Sequence, residues 1–357
     1  MTKPKSTVQP GSSPARIGRA VLALVLILAL SGCAAPNSQS NASGPSELPV
    51  ESAAESTPPI LESVVIGLPG TASTQFVPFY IANAQQYYGD TWTVELQYHD
   101  AADDVFASLR SGDEQFIVAS GAEILQARAQ GLDVVAVAPY FINSNIDPML
   151  PEGSTINTVA GLQGHSIGIA SKSGEAWLTL MVALDQAGLS PNDVQIVEVT
   201  GSPREVLASG AVDALIGYYN TDVTSLGFSG FHFYIFPIDV PLVSLCLATT
   251  QGFADDYPEI VSAVVAGMQQ GMQTACSNDE QALAISAGYL TDFNADPDTA
   301  KNVLGATIYL FGYPDQSISP PFEPDQWSAM TQALQQADLL PADADGNAAY
   351  SNAFRSD

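Results

Sequence analysis

Few side chains in this sequence of 357 residues offer metal-binding or nucleophilic chemistry. His99, His165 and His232 lie far apart, and none has a partner at the spacing of a metal site, so we expect no metal. Cys246 lies in a strand-like run and Cys276 near the end of a helical run. Outside the cell they form a disulfide or remain two buried free thiols, and the sequence leaves both open. The chain has neither a Gly-x-Ser-x-Gly elbow nor a paired-histidine helix, so we expect neither catalysis nor a cofactor.

The third cysteine, Cys33, stands in a different setting. Basic residues precede an unbroken apolar run from Ala20 to Leu30, and two small residues separate that run from Cys33. This is the layout of a signal peptide, and the run is too short to span about 30 Å of hydrocarbon. The Leu-Ser-Gly-Cys stretch ending at Cys33 resembles the lipobox of bacterial lipoproteins, whose cysteine receives a diacylglycerol. We predict a signal peptide over residues 1–32 and a lipid anchor at Cys33, on the extracytoplasmic face of the cell membrane.

The segment that follows the leader is polar, and the whole chain is acidic. Residues 33–60 are rich in Ser, Pro, Asn and Glu, and they hold too little apolar surface to offset the entropy of ordering, so we predict a disordered tether. The leader contains four of the ten basic residues and no acidic residue, so its removal takes the formal net charge from −28 to −32 (6 − 38). A surface this acidic repels phosphate backbones, and we expect no nucleic-acid partner.

Strand-like and helical runs alternate along the rest of the chain, in two series. The first series starts with the strand-like Ser63 to Gly67, and the second starts after the turn-rich stretch from Asp147 to Thr158. The two series begin alike, because Ile66-Gly67 and Ile167-Gly168 each end a strand before a loop of small hydroxylated residues and a helix. This repetition predicts an α/β fold with two similar lobes.

The last third of the chain is mainly helical and follows Pro237 and Pro241. Chains of this kind return to complete the first lobe, so the two crossings between lobes form a hinge. We predict lobe 1 over residues 61–150 plus 241–354 and lobe 2 over residues 151–240. A ligand would lie in the cleft between the lobes, at the carboxyl ends of the strands.

Several short motifs occur in an order that resembles one protein family. They are Phe79 to Ala82, the helix ending Leu-Arg-Ser-Gly at Gly112, the run Gly131 to Tyr140, the segment Leu207 to Asp222 and the segment Phe253 to Met272. Together with the lipobox and tether, this order over about residues 61 to 354 resembles the NMT1-like solute-binding lipoproteins of ABC importers. That family includes carriers of thiamine-precursor pyrimidines, riboflavin, nitrate, alkanesulfonates and taurine. The resemblance implies a two-lobed, periplasmic-binding-protein-like (type II) fold, a monomer, and an ABC permease and ATPase as partners.

The resemblance also implies ligand contacts from four loops, which carry over by position. They are Gly70 and Thr71 with Phe79 and Tyr80 behind them; Ser120, Gly121, Ala122 and Glu123; Ser171, Lys172, Ser173, Gly174 and Glu175; and Tyr218, Tyr219, Asn220 and Asp222. Hydroxyl and N–H groups at helix starts hold polar ligands, and tyrosines stack on rings. Each position also has a structural alternative: a turn for the glycines, the core for Phe79 and Tyr80, a helix-dipole acid for Glu123 and a solvated charge for Lys172.

The composition of these loops bears on the ligand. Lys172 is the one basic residue in them, whereas tyrosines and carboxylic acids are numerous. Carboxylates accept hydrogen bonds from an amine or a ring N–H while tyrosines cover the ring faces, which favours a heteroaromatic vitamin or precursor, such as a thiamine pyrimidine or riboflavin. A small anion (nitrate, a sulfonate, taurine or bicarbonate) stays open, because helix N-termini bind anions without arginine.

Two functions of another class also remain. One is a ligand sensor or surface protein that has kept the fold without a transporter. The other is an enzyme like the fungal hydroxymethylpyrimidine phosphate synthases of the same fold family. Those enzymes depend on a cysteine-rich segment, histidines and a cofactor-holding lysine, and this sequence has no cysteine cluster and no histidine pair. We therefore expect a binding protein.

Overall fold

Ten strands form two separate sheets in a computed structural model that describes residues 61–99, 104–291, 296–314 and 317–355. The predictions for residues 1–60, including the lipid anchor at Cys33, lie outside the described residues. The strands are β1 (Ser63–Pro69), β2 (Thr93–His99), β3 (Phe116–Ser120), β4 (Val134–Pro139), β5 (Ile146–Pro151), β6 (Ser166–Ile169), β7 (Gln195–Glu198), β8 (Ala214–Tyr218), β9 (Phe233–Ile235) and β10 (Leu245–Thr250).

The two sheets have the same topology. Sheet A has the strand order β2-β1-β3-β10-β4, and sheet B has the order β7-β6-β8-β5-β9. In sheet A, β1 is parallel to β2 and β3, and β10 is antiparallel to β3 and β4. In sheet B, β6 takes the place of β1, and β5 takes the place of β10. The predicted α/β fold with two similar lobes is confirmed.

Lobe 2 begins earlier than the sequence predicted. Five of the six residues of strand β5 lie within residues 61–150, which were assigned to lobe 1, yet the strand pairs with β8 and β9 in sheet B. Two of its six residues are proline, Pro148 and Pro151, so the sequence resembles a turn rather than a strand. The first crossing between the sheets therefore lies between β4 and β5, and the second lies between β9 and β10.

Helices cover both sheets. They are α1 (Val77–Ala84), α2 (Val105–Ser111), α3 (Gly121–Ala129), α4 (Gly174–Gln186), α5 (Pro203–Ala208), α6 (Thr224–Phe228), α7 (Gln251–Asp256), α8 (Pro258–Ser277), α9 (Asp279–Ser286), α10 (Pro297–Leu310) and α11 (Pro324–Gln336). Among the described residues, no helix is both long enough and apolar enough to cross a membrane.

The core of lobe 1 depends on close packing of α8 against α1. Helix α8 starts with Pro258 at its first turn and buries Val261, Val264 and Met268 along one face, as expected for apolar residues three and four positions apart. Gly271 lies on this face, where a Cβ would come within 2.1 Å of the Pro78 carbonyl oxygen. The missing side chain lets the two helices approach.

Helix α4 packs into both lobes. Its Leu180 and Leu184 belong to the core of lobe 2, whereas Leu178 and Val182 belong to a cluster that contains buried residues of α3 and α11. Because α4 has apolar residues on two faces, the two lobes pack against each other along this helix, at one side of the cleft.

Candidate functional site

A cavity of about 1100 Å³ lies between the two lobes. The loops after β1, β6 and β8 contribute to its lining, together with α3 and the first half of α10. This volume slightly exceeds the range of about 300 to 1000 Å³ that is typical for small-molecule sites. Of the predicted residues, the cavity lining contains Gly70, Thr71, Glu123, Ser171, Ser173, Gly174, Glu175, Tyr218 and Asp222.

In lobe 1, buried tyrosines hold the loop that follows β1. Gly70 has a positive φ of 82° and donates its N–H to the His99 carbonyl at 2.7 Å, which turns the chain into the cavity. The Tyr80 hydroxyl accepts from the Ser73 N–H at 3.3 Å, and the Tyr140 hydroxyl donates to the Gln75 carbonyl. The loop is therefore fixed from behind by the lobe 1 core.

The two predicted aromatic contacts of this loop lie in that core and not in the cavity lining. Phe79 is fully buried and stacks on Tyr140, with ring centroids 5.4 Å apart. Tyr80 is also fully buried and stacks on Tyr289 at 4.1 Å. Both residues are therefore part of the core, as the alternative in the sequence analysis stated, and do not contact the ligand site directly. Tyr80 supports the loop through its hydrogen bond with the Ser73 N–H.

Helix α3 begins with a capping box that places an acid in the cavity wall. Glu123 Oε2 accepts from the Ser120 N–H at 3.0 Å and from the Ser120 hydroxyl at 2.6 Å, while the Glu123 N–H donates to Ser120 Oγ at 3.3 Å. Burial raises the pKa of Glu123, and the bonds from Ser120 partly offset that effect. Ser120, Gly121 and Ala122 are buried behind it, and a Cβ on Gly121 would meet Val243 at 2.8 Å.

In lobe 2, the loop after β6 leads into the N-terminus of α4. The hydroxyls of Ser171 and Ser173 hydrogen-bond to each other at 2.7 Å, and the Ser173 side chain caps no N–H of the helix. Gly174 has a φ of 79°, which admits glycine most easily. Lys172 is exposed and outside the cavity lining, and its backbone N–H donates to Glu198 at 3.3 Å.

Glu175, in the first turn of α4, is a buried acid in the cavity lining. It is only 7% exposed, and its Oε1 accepts from the Ser244 hydroxyl at 2.7 Å. Its Oε2 is buried and has no hydrogen-bond partner among the described residues. Burial, together with the neighbouring Glu123 carboxylate, raises the pKa of Glu175 to about 8, although the Ser244 hydrogen bond acts in the opposite direction.

The segment after β8 separates two adjacent tyrosines. Tyr218 lines the cavity, and its N–H donates to Asp222 Oδ2 at 2.9 Å. A π-helical turn, Tyr219–Val223, follows, and it directs Tyr219 to a separate surface groove, where its ring lies 6.2 Å from that of Tyr309. Asn220 is buried, and its Nδ2 donates across the lobes to Gln75 Oε1 at 3.1 Å.

Several cavity residues were missed by the sequence prediction. His99 lines the cavity, and its Nε2 lies 2.6 Å from Oε1 of Glu114, which is 3% exposed. The pair lies over Gly67 of β1, where a Cβ would meet Glu114 Oε2 at 2.1 Å. Asn145 and Thr299 also line the cavity. The signal for His99 was its place at the end of a strand, but its partner follows the next helix, so spacing along the chain did not reveal the pair.

The two cysteines in the described residues are both free. Cys246 is buried in β10, where its thiol donates to the Ser244 carbonyl at 3.3 Å, and Cys276 is half-buried in α8. Within the described ranges no three His, Cys, Asp or Glu side chains are grouped as metal ligands would be. The site thus combines hydroxyl, carboxyl and tyrosine side chains with His99, Arg110 and amide side chains such as Asn145.

Comparisons with known proteins agree with this architecture. A family model described as NMT1/THI5 like matches residues 73–282. The riboflavin-binding protein RibY of Chloroflexus aurantiacus is 25% identical over 349 residues, which cover 93% of this chain and 96% of that protein. The solved structure of the periplasmic aliphatic sulphonate binding protein SsuA of Escherichia coli is similar with a TM-score of 0.63 and 19% identity, covering 81% of this chain and 97% of SsuA.

A structure of different function shares the architecture. The desulfurization enzyme DSZB is similar with a TM-score of 0.52 and 14% identity, over 82% of this chain and 97% of the enzyme. At this identity the likeness concerns the fold alone. The predicted two-lobed fold of periplasmic-binding-protein type II is confirmed.

Proposed function

The chain belongs to the NMT1/THI5-like family, and from that membership we propose that it is the solute-binding component of an ABC importer. The cavity between the lobes is the binding site. Closure of the lobes over the solute would then present the loaded protein to a permease, and the ligand would bias closure through contacts that it makes only when both lobes meet it.

The proposed ligand is a flat heteroaromatic molecule with N–H donors, of the riboflavin or thiamine-pyrimidine kind. One observation carries this proposal. Tyr218 lines the cavity together with two acids, Glu123 from lobe 1 and Glu175 from lobe 2. A ring face suits the tyrosine, and N–H groups suit carboxyl oxygens. The relative of Chloroflexus aurantiacus whose name states riboflavin binding is similar over nearly its whole length.

A small anion is the second candidate, since α4 directs an N-terminus with two serines toward the cavity. Against it stands Glu175, whose carboxyl occupies the first turn of the same helix. Arg110 also lines the cavity, but it is exposed and lies 3.6 Å from Asp104, so a carboxylate already accompanies it. The cavity walls therefore favour donors of hydrogen bonds over anions.

The proposal includes a membrane anchor and excludes catalysis. We place a diacylglycerol on Cys33, with residues 33–60 as the tether and the two lobes as a monomer outside the cytoplasm. The architecture also occurs in an enzyme, DSZB. In this cavity, however, the histidine in the described lining is engaged by Glu114 rather than by a serine or cysteine that it could activate.

Calorimetric titration of the purified protein tests the proposal. We expect riboflavin or an aminopyrimidine to bind and to raise the melting temperature, because a ligand of the native state stabilises it. Nitrate, taurine and an alkanesulfonate serve as the anion series. Binding of an anion alone would contradict the ligand class and leave the second candidate.

Adjacent tyrosines provide a matched pair of variants. Tyr218→Ala removes a ring from the cavity and should weaken riboflavin binding about tenfold, in line with about 1.4 kcal/mol for an aromatic contact. Tyr219→Ala removes the same side chain from the surface groove and should leave affinity unchanged. Equal effects of the two variants would contradict the proposed stacking.

A further inference from the structure

Two carboxyl groups from different lobes line the same part of the cavity. Glu123 lies in the first turn of α3 in lobe 1, and Glu175 lies in the first turn of α4 in lobe 2. A Cβ on Gly174 would lie 3.5 Å from Glu123 Oε1, which places the end of one acid beside the backbone that carries the other. The two acids thus meet where the lobes meet.

Glu175 is the acid with an unsatisfied oxygen. More than nine-tenths of the residue is buried, and its Oε2 has no hydrogen-bond partner in the described part of the chain. Glu123 differs, because Ser120 supplies two hydrogen bonds to its Oε2. A buried carboxylate without compensation is costly, so Glu175 requires either a proton or a donor from the ligand.

No positively charged group faces Glu175 within the part of the chain that the structure describes. The titratable groups that face it are Glu123 from α3, Tyr218 from β8 and Cys246 from β10, and none of these is a cation. Ser244 gives a single hydroxyl. Desolvation and the Glu123 carboxylate together keep the carboxyl protonated at neutral pH, with a pKa of about 8.

We infer that Glu175 holds one proton before the ligand binds and that an N–H or cationic group of the ligand replaces this proton on binding. The inference rests on the proposed function and adds the group that selects the ligand. The O–H bond of the Glu175 carboxylic acid breaks, the proton passes to the solvent, and the carboxylate accepts a hydrogen bond from the ligand, so charge and atoms balance. Nitrate and a simple alkanesulfonate have no such donor and would leave the proton on Glu175.

Proton release is measurable by titrating riboflavin into the protein in phosphate and in Tris, whose ionisation enthalpies differ. At pH 7 a group with a pKa of about 8 is about nine-tenths protonated, so we expect release of about 0.9 proton per ligand, falling to about 0.1 at pH 9. Affinity should rise about tenfold per pH unit below pH 8 and level off above it.

Two variants assign the released proton to its residue. Glu175→Gln should abolish the proton release. Glu259 is an exposed acid in the first turn of α8, and Glu259→Gln should retain the proton release.

Absence of proton release in the unchanged protein, or proton uptake, would overturn the inference. If no heteroaromatic ligand binds, the proposed ligand class fails, and the stored proton is then tested without a ligand. Infrared difference spectra between Glu175→Gln and the unchanged protein should contain the C=O stretch of a protonated carboxylic acid that titrates near pH 8. A difference spectrum without that band at pH 7 overturns the inference independently of any ligand.

Discussion

The two lobes share one strand order, but their outer strands are buried very differently. Strands β4 and β9 hold equivalent edge positions in sheets A and B. All six residues of β4 are buried, whereas none of the three residues of β9 is. The chain near its C-terminus explains the difference, because Tyr350 bridges to Ala136 of β4 and the Ser351 N–H donates to the Ala136 carbonyl at 2.8 Å.

The loops that line the cavity also differ in how well buried side chains support them, and the loop of lobe 1 again has the more buried partners. In lobe 1 the loop after β1 is held by the buried hydroxyls of Tyr80 and Tyr140. In lobe 2 the loop after β6 is held by a contact between two serines that are not buried, Ser171 and Ser173. The comparison teaches that equal topology does not give equal support to the loops. From it we expect the loop of lobe 1 to be the more rigid half of the site and the loop of lobe 2 to be the half that adjusts.

The largest expected effect comes from the close helix packing in lobe 1. Gly271→Ala places a Cβ 2.1 Å from the Pro78 carbonyl oxygen, which the backbone must move to admit, and we expect a loss of about 4 kcal/mol in the free energy of unfolding. Gly227→Ala in α6 of lobe 2 meets no atom within 4 Å and should change stability by less than about 1 kcal/mol. Denaturant titration gives both values, and similar losses would contradict the difference between the lobes.

Equivalent glycines in β1 and β6 provide a sharper test. A Cβ at Gly67 would meet the buried Glu114 carboxylate at 2.1 Å and separate it from His99, so Gly67→Ala should cost about 2 to 3 kcal/mol. A Cβ at Gly168 would meet flexible methyl groups of Leu215 and Val212 at 3.1 Å, so Gly168→Ala should cost about 1 kcal/mol or less. Equal shifts in the denaturation midpoint would contradict the prediction that a Cβ costs more at Gly67 than at Gly168.

The two first-turn acids should respond to substitution to different extents. The pKa of Glu175 lies at about 8 in the folded protein against an ordinary 4.5, so the folded state holds a proton that the unfolded state releases, and stability falls as the pH rises from 4.5 to 8. Glu175→Gln removes this loss and should stabilise the protein at pH 8.5 by on the order of 2 kcal/mol, with little effect at pH 4.5.

Glu123→Gln is the matched variant in lobe 1. Burial raises the pKa of Glu123 as well, but two hydrogen bonds from Ser120 partly offset that effect, so we expect Glu123→Gln to stabilise the protein less than Glu175→Gln does at the same pH. Calorimetric melting at pH 4.5 and 8.5 measures both variants. Stabilisation by Glu123→Gln as large as that by Glu175→Gln would remove the distinction between the two acids.

The smallest expected effects concern the loops themselves. Tyr140→Phe deletes the hydroxyl that donates to the Gln75 carbonyl and leaves the ring in place, so it should cost about 1 kcal/mol. Ser171→Ala deletes a hydroxyl that hydrogen-bonds to the exposed Ser173 and should cost less than about 0.5 kcal/mol. Hydrogen exchange of the Ser73 and Gly174 amides would check the proposed order of loop rigidity, and faster exchange at Ser73 in the unchanged protein would contradict it.

Much of the fold could be predicted because its signals are local. Repetition of Ile-Gly before a hydroxyl-rich loop indicated two similar lobes, which the sheets confirm. Ser202 and Glu205, with Pro203 between them, form a local sequence signal for a helix start, and α5 begins there with the full capping box. The lobe boundary at β5 could not be placed, because prolines conceal a strand that is stabilised only by its neighbours in sheet B.

The parts of the site that sequence did not reveal depend on contacts between distant segments. Thr299 reaches the cavity from α10, far along the chain from the loop at Gly70. Tyr218 and Tyr219 are neighbours in sequence, but a π-helical turn directs one to the cavity and the other to the surface groove. No periodicity rule for strands or α-helices anticipates that separation.

The crossing between the lobes has a consequence for how such a gene can change. The chain leaves sheet A at Tyr140 and returns at Leu245, and the Tyr140 N–H donates to the Leu245 carbonyl at 2.8 Å. The same carbonyl accepts from the Phe141 N–H at 2.9 Å, so lobe 2 is a single continuous segment whose two ends meet at the Leu245 carbonyl. Recombination at those two codons can exchange half of a binding site in one event, provided that the incoming segment keeps apolar residues at the places of Leu178 and Val182, which pack against lobe 1.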